Sequence, residues 1–293
     1  MNNPLNIRQI IWSEFRAYEQ AFADALQTDN QLLAQVLDYV HAKRGKQLRP
    51  ILVLLSAALC RGITDKTIQT AVALELMHTA SLIHDDVVDD TPIRRGSNAV
   101  HTQWTNKVAI LVGDYMLTRV MQILTDLRNT TILNIVSQMG ASLTSGELLQ
   151  LHSGQSMWIS EKQYNQIIQQ KTACLFAACS EAGGASTGAT SRQMTALKHF
   201  GLHLGMCFQL KDDVLDYSDL EDIGKPTMND LRDGKATLPL LISLHRATKE
   251  EAAQVREMAE ALAAQSPHID VFETEQDIKA FVLRYDGIRY AYQ

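Results

Sequence analysis

Four aspartates follow directly on a long apolar run, and this junction constrains the fold more than any other stretch of the chain. Residues 71–82 are mostly apolar, with the spacing of a buried helix. Asp85 and Asp89 lie four residues apart on one face of that helix, and Asp86 and Asp90 are offset by one step. Because a proline follows two residues after the cluster, we predict that the carboxylates occupy the last helical turns. The helix C-terminus carries partial negative charge, so the cluster must be solvated, protonated or neutralised by positive charge.

Oxygen-rich clusters without thiolates suit hard divalent ions, above all Mg²⁺. The alternative is a solvated acidic patch paired with Arg94 and Arg95. A second copy of the pattern favours the metal, because Asp212, Asp213 and Asp216 also follow an apolar helical run. If the two helices face each other, six carboxylates surround one cavity, and bound metal ions take their remaining ligands from substrate phosphates.

Composition and periodicity predict an all-α protein. The chain has 293 residues, of which 46% are hydrophobic and only six are proline. Apolar runs with helical spacing recur, and no segment shows sustained strand-like alternation, so we predict one all-α domain spanning residues 1–293. The net charge of -6 argues against a nucleic-acid-binding surface, which would normally be basic.

The cysteine pattern and the N-terminus indicate a soluble cytoplasmic protein. The four cysteines form no CxxC pair and no metal-binding spacing, which is typical of buried free thiols in a reducing compartment. The N-terminus lacks the basic and apolar regions of a signal peptide. The longest apolar run, 51–60, is too short to span a bilayer.

Three further segments allow a structural or a functional interpretation. The basic turn 43–50 precedes a helix, where Lys46 and Arg49 belong either to a surface loop or to an anion site. A Lys-Thr pair at 171–172 interrupts an apolar helix, and such a pair is more often a surface step than a site. The glycine-rich segment 183–188 has no GK[ST] ending and no preceding strand, so we interpret it as a turn.

A substrate with a diphosphate head and a hydrocarbon tail would match these features, which are acidic helix ends, short clusters of basic residues and long apolar helices. Metal ions that bridge a diphosphate neutralise the leaving group and favour C–O cleavage. An apolar, water-poor cavity would protect the resulting allylic cation from hydrolysis.

From about Arg44 to Leu241 the chain closely resembles the trans-isoprenyl diphosphate synthase family, particularly its octaprenyl and other long-chain members. The motifs that carry the resemblance are GKQLRP at 45–50, ELMHTASLIHDDVVDDTPIRRG at 75–96, GELLQL at 146–151, the Lys-Thr pair at 171–172 and FQLKDDVLD at 208–216. The resemblance implies a single-domain bundle of long antiparallel helices around a central cavity. It also implies head-to-tail condensation of isopentenyl diphosphate with an allylic diphosphate, farnesyl or geranyl, in which the released pyrophosphate removes the proton.

The resemblance assigns roles to individual residues. The implied metal ligands, also catalytic, are Asp85, Asp86, Asp89, Asp212, Asp213 and Asp216. Isopentenyl diphosphate would be held by Lys46, Arg49, His78 and Arg95. The allylic diphosphate would be held by Arg94, Lys171 (also catalytic), Thr172, Gln209 and Lys225, with Lys235 close by. The implied cofactor is Mg²⁺, about three ions per site, with Mn²⁺ able to substitute. The implied assembly is a homodimer without a transmembrane segment, in transient membrane contact for product release.

Product length follows from the helix face that leads away from the first cluster. Ser81, Met77 and Leu74 share the face of Asp85, which runs roughly 16 Å from the metals to Leu74. Family members with short products place a bulky aromatic four or five residues before the motif, where this chain has the small residues Ser81 and Ala80. We therefore expect a product of roughly C30 to C40 for quinone side chains, with Met77 or Leu74 nearer the tunnel floor.

Two departures from the family keep alternatives open. Gln47 stands where the family commonly has arginine, which we expect to weaken isopentenyl diphosphate binding. The chain ends at Gln293, earlier than most relatives, so we expect a truncated chain or a site that closes differently. The alternatives are a non-catalytic or partner-dependent subunit, a shorter-chain farnesyl or geranylgeranyl synthase, a class I terpene cyclase or head-to-head synthase, and an HD-type phosphohydrolase.

Overall fold

The computed structural model describes residues 7–153, 157–218 and 227–293, and these form helices joined by short connections. The predicted all-α fold is confirmed. Within the described ranges the only strands are two residues long, β1 (Ile93–Arg94) and β2 (Ser97–Asn98), which pair as an antiparallel hairpin.

The described helices follow one another along most of the chain. Before the hairpin they are α1 (Ile7–Ile10), α2 (Trp12–Ala25), α3 (Gln31–Ala42), α4 (Leu48–Cys60) and α5 (Asp65–Val88). After it come α6 (Val100–Gln103), α7 (Asn106–Asp126), α8 (Thr130–Ser153), α9 (Glu161–Ile168), a π-helix (Gln169–Ala173), α10 (Cys174–Ser186) and α11 (Ser191–Leu215). The described helices that follow are α12 (Asn229–Arg232), α13 (Leu238–Arg246), α14 (Lys249–Ala263), α15 (Val271–Arg284) and α16 (Gly287–Ala291).

Contacts divide the chain into two compact units, which are described separately. The first unit comprises Met1–Ala141 and Leu175–Gly201, and the second comprises Ser142–Cys174 and Leu202–Gln293. The single domain of residues 1–293 stays a prediction.

Helix α5 is the central helix of the first unit, and it packs against α2, α4 and α7. A capping box at Thr64 and Thr67 fixes its beginning, because each side chain bonds the backbone N–H of the other residue. Leu74 and Leu76 in its middle are completely buried. The helix ends at Val88 with Asp89 as its C-cap, so the first aspartate cluster lies at the predicted end.

The glycine-rich segment 183–188 is not the predicted turn. Gly183 and Gly184 lie inside α10, and the chain turns only at Gly188, whose φ is +72°. A Cβ at Gly183 would lie 2.4 Å from the carbonyl oxygen of Val53 on α4. The glycine is therefore needed for close contact between two helices, a requirement that turn composition alone does not reveal.

Helix α7 is the one described helix long and apolar enough to cross a membrane by those two criteria. Core helices of soluble proteins meet the same criteria, so length and composition alone do not assign α7 to a membrane. It packs on α5 at Gly113, where a Cβ would lie 2.2 Å from His84 Nε2. This contact places α7 beside the end of α5 that carries the aspartates.

The second unit has its own apolar core, built from α12, α13, α14 and α15. Its completely buried side chains are Met228, Leu240, Ala259, Ile278 and Val282. Gly287 at the start of α16 packs closely on α13, since a Cβ there would lie 2.2 Å from the carbonyl oxygen of Pro239. This core supports the chain segments that surround the second aspartate cluster.

We predict that Gly183→Ala lowers the free energy of unfolding by roughly 1–3 kcal/mol, because its methyl group overpacks against the backbone of α4. Gly184→Ala is the matched control. Its Cβ would lie 2.7 Å from Leu197 Cδ1, the end of a flexible side chain that can move aside. Urea unfolding followed by circular dichroism measures both variants, and equal stabilities would contradict the role given to Gly183.

Candidate active site

The first aspartate cluster lies in the last turn of α5, in the first unit. Asp89 donates its backbone N–H to the carbonyl oxygen of Asp85 at 2.8 Å, which closes the helix. The Asp86 side chain is buried, and Arg94 donates to its Oδ1 from Nε at 2.7 Å and also from Nη2. One arginine of the pair at 94–95 therefore neutralises one carboxylate of the cluster.

The second arginine of the hairpin, Arg95, points towards the basic turn 43–50 and not towards Asp86. Arg95 and Gly96 have φ of +53° and +72°, the two consecutive positive values that a type I′ turn requires. Arg95 Nη1 donates to the carbonyl oxygen of Lys43 at 3.1 Å. A Cβ at Gly45 would lie 2.9 Å from Arg95 Cζ, so only glycine lets the guanidinium approach the turn this closely.

The basic turn 43–50 contributes to a cationic group around His78, which is buried. Burial, followed by the charges of Arg49 and Arg95, lowers the pKa of His78 well below its usual value, so the imidazole is neutral. The Arg49 guanidinium also lies 5.3 Å from the centroid of the Phe176 ring. Arg49, His78 and Arg95 are thus close together, whereas the Lys46 side chain is exposed on the same turn.

Buried polar atoms without hydrogen-bond partners accumulate in this part of the first unit. They are Tyr18 Oη, Arg44 Nη1, Gln47 Nε2, Arg49 Nε and Glu75 Oε2. Buried polar groups are nearly always paired in folded proteins, so a set of unpaired ones indicates a place for water or a polar ligand. Burial raises the pKa of Glu75 to about 7, against the charges of the neighbouring arginines, which lower it.

The second aspartate cluster closes α11 in the second unit. Asp213 is buried, and its carboxylate accepts hydrogen bonds from Tyr164 Oη and, at 2.8 Å, from Gln209 Nε2. The carboxylate of Asp216 accepts the backbone N–H groups of Asn229 at 3.1 Å and Asp230 at 3.2 Å, at the start of α12. The cluster is therefore held in place by donors from α9, α11 and α12.

Burial also shapes the electrostatics of this second cluster. It raises the pKa of Asp213 to about 6, although the hydrogen bonds from Tyr164 and Gln209 lower it. It raises the pKa of Asp230 to about 7, and the charges of Asp216 and Asp213 raise it further. The carboxylates repel one another in a poorly solvated place, which is a setting for a bound cation.

The donor chemistry of both clusters fits a hard divalent ion, since every potential ligand is a carboxylate oxygen. Within the described ranges, no three or more His, Cys, Asp or Glu side chains are already arranged to hold a metal.

The Lys-Thr pair at 171–172 lies in the π-helix, a rare distortion that occurs frequently at functional sites. Lys171 Nζ lies 2.7 Å from Glu147 Oε2, and it donates to Gln150 Oε1 at 3.2 Å. Thr172 Oγ1 donates to Gln209 Oε1 at 2.8 Å. These contacts link the Lys-Thr pair to the second aspartate cluster through Gln209, so the pair is not a simple surface step.

Gly146 on α8 allows the π-helix to come close. A Cβ at Gly146 would lie 2.9 Å from the backbone nitrogen of Lys171 and 2.8 Å from Gln170 Cβ. This contact and the neighbouring Glu147–Lys171 ion pair explain the GELLQL motif physically. The glycine removes bulk and the next residue holds the lysine.

A cavity of about 210 Å³ opens in the second unit beside these groups. Its polar lining includes Lys171, Thr172, Gln209, Asp213, Asp230 and Lys235, and its apolar lining includes Met157, Ile159, Ile167 and Ile168. Lys235 Nζ lies 3.8 Å from Asp233 Oδ2. Lys225, predicted to bind the allylic diphosphate, lies outside the described residues.

Sequence reasoning missed Tyr164, Glu147 and Asp230 as members of this site. Tyr164 looked like one more apolar helix residue, and no spacing links it to Asp213. Asp230 lies shortly before the Gly-Lys step at 234–235, the only sequence signal that could have marked it.

The residues predicted to set product length differ in exposure. Leu74 and Ala80 are completely buried, whereas Met77 and Ser81 are partly exposed. Ser81 Oγ donates to the carbonyl oxygen of His78 at 2.9 Å. An aromatic side chain introduced at Ala80 would therefore overpack the core, which leaves Ser81 as the better position for a blocking residue.

We predict that Glu75→Gln removes a pH dependence of stability. The pKa of Glu75 in the folded chain, about 7, lies above its ordinary value of 4.5, so the folded state binds this proton more tightly. The contribution of this proton to the free energy of unfolding is therefore complete below pH 4.5. It is lost as the pH rises towards 7, by on the order of 3 kcal/mol. Urea unfolding at several pH values measures the fall, with Glu257→Gln at an exposed position as the control. An undiminished fall in Glu75→Gln would refute this assignment.

Comparisons with known proteins show the family of the chain. The Polyprenyl synthetase family model matches residues 30–273. The chain is 36% identical over 251 residues to octaprenyl diphosphate synthase of Escherichia coli K12, which covers 85% of this chain and 78% of that protein.

Two solved structures share the fold over 97% of this chain. The first is a polyprenyl synthase from Caulobacter crescentus CB15 complexed with calcium and isoprenyl diphosphate, with a TM-score of 0.86, 32% identity and 85% of that chain covered. The second is a decaprenyl diphosphate synthase from Rhodobacter capsulatus, with a TM-score of 0.89, 31% identity and 86% of that chain covered. Proteins of this kind have the all-α isoprenoid synthase fold and use divalent metal ions. The chain therefore belongs to the polyprenyl synthetase family of trans-prenyltransferases.

Proposed function

We propose that the chain condenses isopentenyl diphosphate head to tail with an allylic diphosphate, farnesyl or geranyl, and makes an all-trans polyprenyl diphosphate of roughly C30 to C40 for quinone side chains. The observation that carries the proposal is the cavity in the second unit. Lys171, Thr172 and Gln209 contribute polar groups to its lining, and Ile167 and Ile168 contribute apolar surface. A diphosphate with a hydrocarbon tail needs both kinds of surface.

The allylic diphosphate binds through Lys171, Thr172, Gln209 and Arg94, with Lys225 and Lys235 as further cations. Lys171 is held by Glu147 at 2.7 Å, so its ammonium is oriented before substrate binds. Gln209 connects Thr172 to Asp213, which fixes the amide and the hydroxyl together. Pre-oriented donors of this kind lose little entropy on binding and stabilise charge that develops on the leaving group.

The predicted metal ligands are Asp85, Asp86, Asp89, Asp212, Asp213 and Asp216. When bound to them, Mg²⁺, roughly three ions with Mn²⁺ as a substitute, supplies Lewis-acid neutralisation of the departing diphosphate. The protein donors to Asp86 and Asp213 hold these carboxylates in fixed orientations for that purpose.

Isopentenyl diphosphate binds to Lys46, Arg49, His78 and Arg95. The unpaired donors Arg49 Nε, Arg44 Nη1 and Gln47 Nε2 support an anion here, because each lacks a partner among the described residues. A neutral His78 adds one more hydrogen-bond donor without adding charge. A second cationic group of this size favours condensation of two diphosphates over cyclisation of one.

The reaction balances without a further reactant. The allylic C–O bond breaks, the isopentenyl double bond forms the new C–C bond, and a proton leaves to the released pyrophosphate. The apolar side chains that line the cavity limit access of water to the cation. We further propose a cytoplasmic homodimer that touches membranes only to release product.

The direct test incubates the protein with Mg²⁺, farnesyl diphosphate and labelled isopentenyl diphosphate, and resolves the dephosphorylated products by chain length. A ladder that ends at one long prenyl alcohol is expected. Lys171→Ala should lower incorporation by about 10- to 100-fold, because it removes a charge-assisted hydrogen bond of about 1.5–3 kcal/mol. Lys162→Ala, at an exposed position on α9, is the control. No incorporation by the folded wild-type protein would contradict the proposal and favour a partner-dependent subunit.

We predict that Gly146→Ala raises the KM for the allylic diphosphate by roughly tenfold, equivalent to about 1.4 kcal/mol. The reason is that the new methyl group would push the π-helix away from α8 and displace Lys171. The KM for isopentenyl diphosphate should stay unchanged. Ser145→Ala, at an exposed neighbouring position, provides the comparison. Steady-state kinetics with each substrate varied in turn would refute this role if both KM values moved together.

A further inference from the structure

Lys279 on α15 is buried, although lysine is rarely buried unless its charge is paired. Its ammonium donates to the carbonyl oxygen of Ser218 and to Thr227 Oγ1, both at 3.1 Å. Ser218 lies just after the end of α11, and Thr227, which is also buried, lies just before the beginning of α12. One side chain of α15 therefore joins the end of α11 to the beginning of α12.

The residues beside these two attachment points hold Asp216. The backbone N–H of Met228, the N-cap of α12, donates to the carbonyl oxygen of Asp216 at 2.9 Å. The N–H groups of Asn229 and Asp230 donate to its carboxylate. Burial raises the pKa of the Asp216 carboxyl, and the charge of Lys279 is among the influences that lower it. The ammonium therefore lies close enough to the second aspartate cluster to affect it.

Glu275, one turn before Lys279 on α15, makes a second attachment to the same segment. Its carboxylate accepts a hydrogen bond from Arg232 Nε at 2.6 Å, at the end of α12, and the two side chains form an ion pair. Ile278 and Val282 fix α15 in the core of the second unit, where both are completely buried. Helix α15 thus holds α12 from both of its ends.

We propose that Lys279 is a positioning residue for the second aspartate cluster, because it fixes the backbone amides that orient Asp216 as a ligand of a divalent ion. The inference rests on the proposed synthase function and adds to it a residue that touches neither metal nor substrate. Groups that orient metal ligands typically change metal affinity by about 10- to 100-fold when they are removed.

The ammonium has two effects of opposite sign on a bound cation. Its positive charge repels a divalent ion near Asp216, and its hydrogen bonds keep the ligand in place. Within the described ranges the ammonium is directed at Ser218 and Thr227 and forms no ion pair with Asp216. We therefore expect that loss of position outweighs loss of repulsion, so that removing the ammonium weakens metal binding.

The test compares Lys279→Met, which keeps a long side chain but removes the ammonium, with Thr227→Val and Thr227→Ser. The free energy of unfolding is measured with increasing Mg²⁺ at a fixed concentration of inorganic diphosphate, and its rise gives an apparent Kd for Mg²⁺. Lys279→Met should raise this Kd about tenfold. Thr227→Val should raise it by a smaller factor, because one of two acceptors is lost, and Thr227→Ser should not change it, because the hydroxyl remains.

Lys249→Met, at an exposed position on α14, is the control for loss of a charge. Each variant is compared with itself in the absence of Mg²⁺, so a general loss of stability does not affect the Kd. If Lys279→Met does not fold, the two Thr227 variants decide.

An unchanged or lower Kd in folded Lys279→Met, or equal values for Thr227→Val and Thr227→Ser, would overturn the inference. Failure of the proposed function gives a different result. The wild type would then be stabilised by Mg²⁺ with diphosphate but would not incorporate labelled isopentenyl diphosphate, and the comparison of Kd values would still decide the role of Lys279.

Discussion

Carboxylates of like charge are concentrated at the C-terminal ends of two long helices, where the helix dipole opposes them. Surrounding residues donate hydrogen bonds that partly neutralise and orient these carboxylates. Arg94 neutralises Asp86 from the hairpin, Tyr164 and Gln209 donate to Asp213, and the first amides of α12 bind Asp216. Each carboxylate is thereby oriented, although its burial remains unfavourable until a cation is present.

The two groups of residues that we propose to bind diphosphates are held in place by different contacts. In the first unit, Gly45 and the type I′ turn bring Arg95 to the basic turn, and several buried donors there lack protein partners. In the second unit, a π-helix and Gly146 bring Lys171 to Glu147. In both places a glycine removes bulk so that a cation can be held by backbone or carboxylate oxygens before substrate arrives.

The sequence was informative where local rules determine structure. Helical spacing and a following proline located both the end of α5 and the aspartates on it. Motif resemblance selected Arg49, His78 and Arg95, which lie close together in the structure. Sequence reasoning failed where tertiary packing decides. Gly183 lies in a glycine-rich segment typical of a turn, but it forms a contact between two helices. Tyr164 and Asp213 lie on different helices, and no sequence spacing links the two residues. The π-helix at 169–173 likewise packs closely on Gly146, a contact that no local propensity encodes.

We propose that the two aspartate clusters bind divalent cations together with a diphosphate. The most direct measurement is the free energy of unfolding in the presence of Mg²⁺ alone, inorganic diphosphate alone, and both. Both together should stabilise the protein by on the order of 3 kcal/mol at a hundredfold excess over Kd, and each alone should do much less. The stabilisation should disappear in an Asp85→Asn, Asp213→Asn double variant. No stabilisation by the pair, or equal stabilisation of the double variant, would contradict the claim.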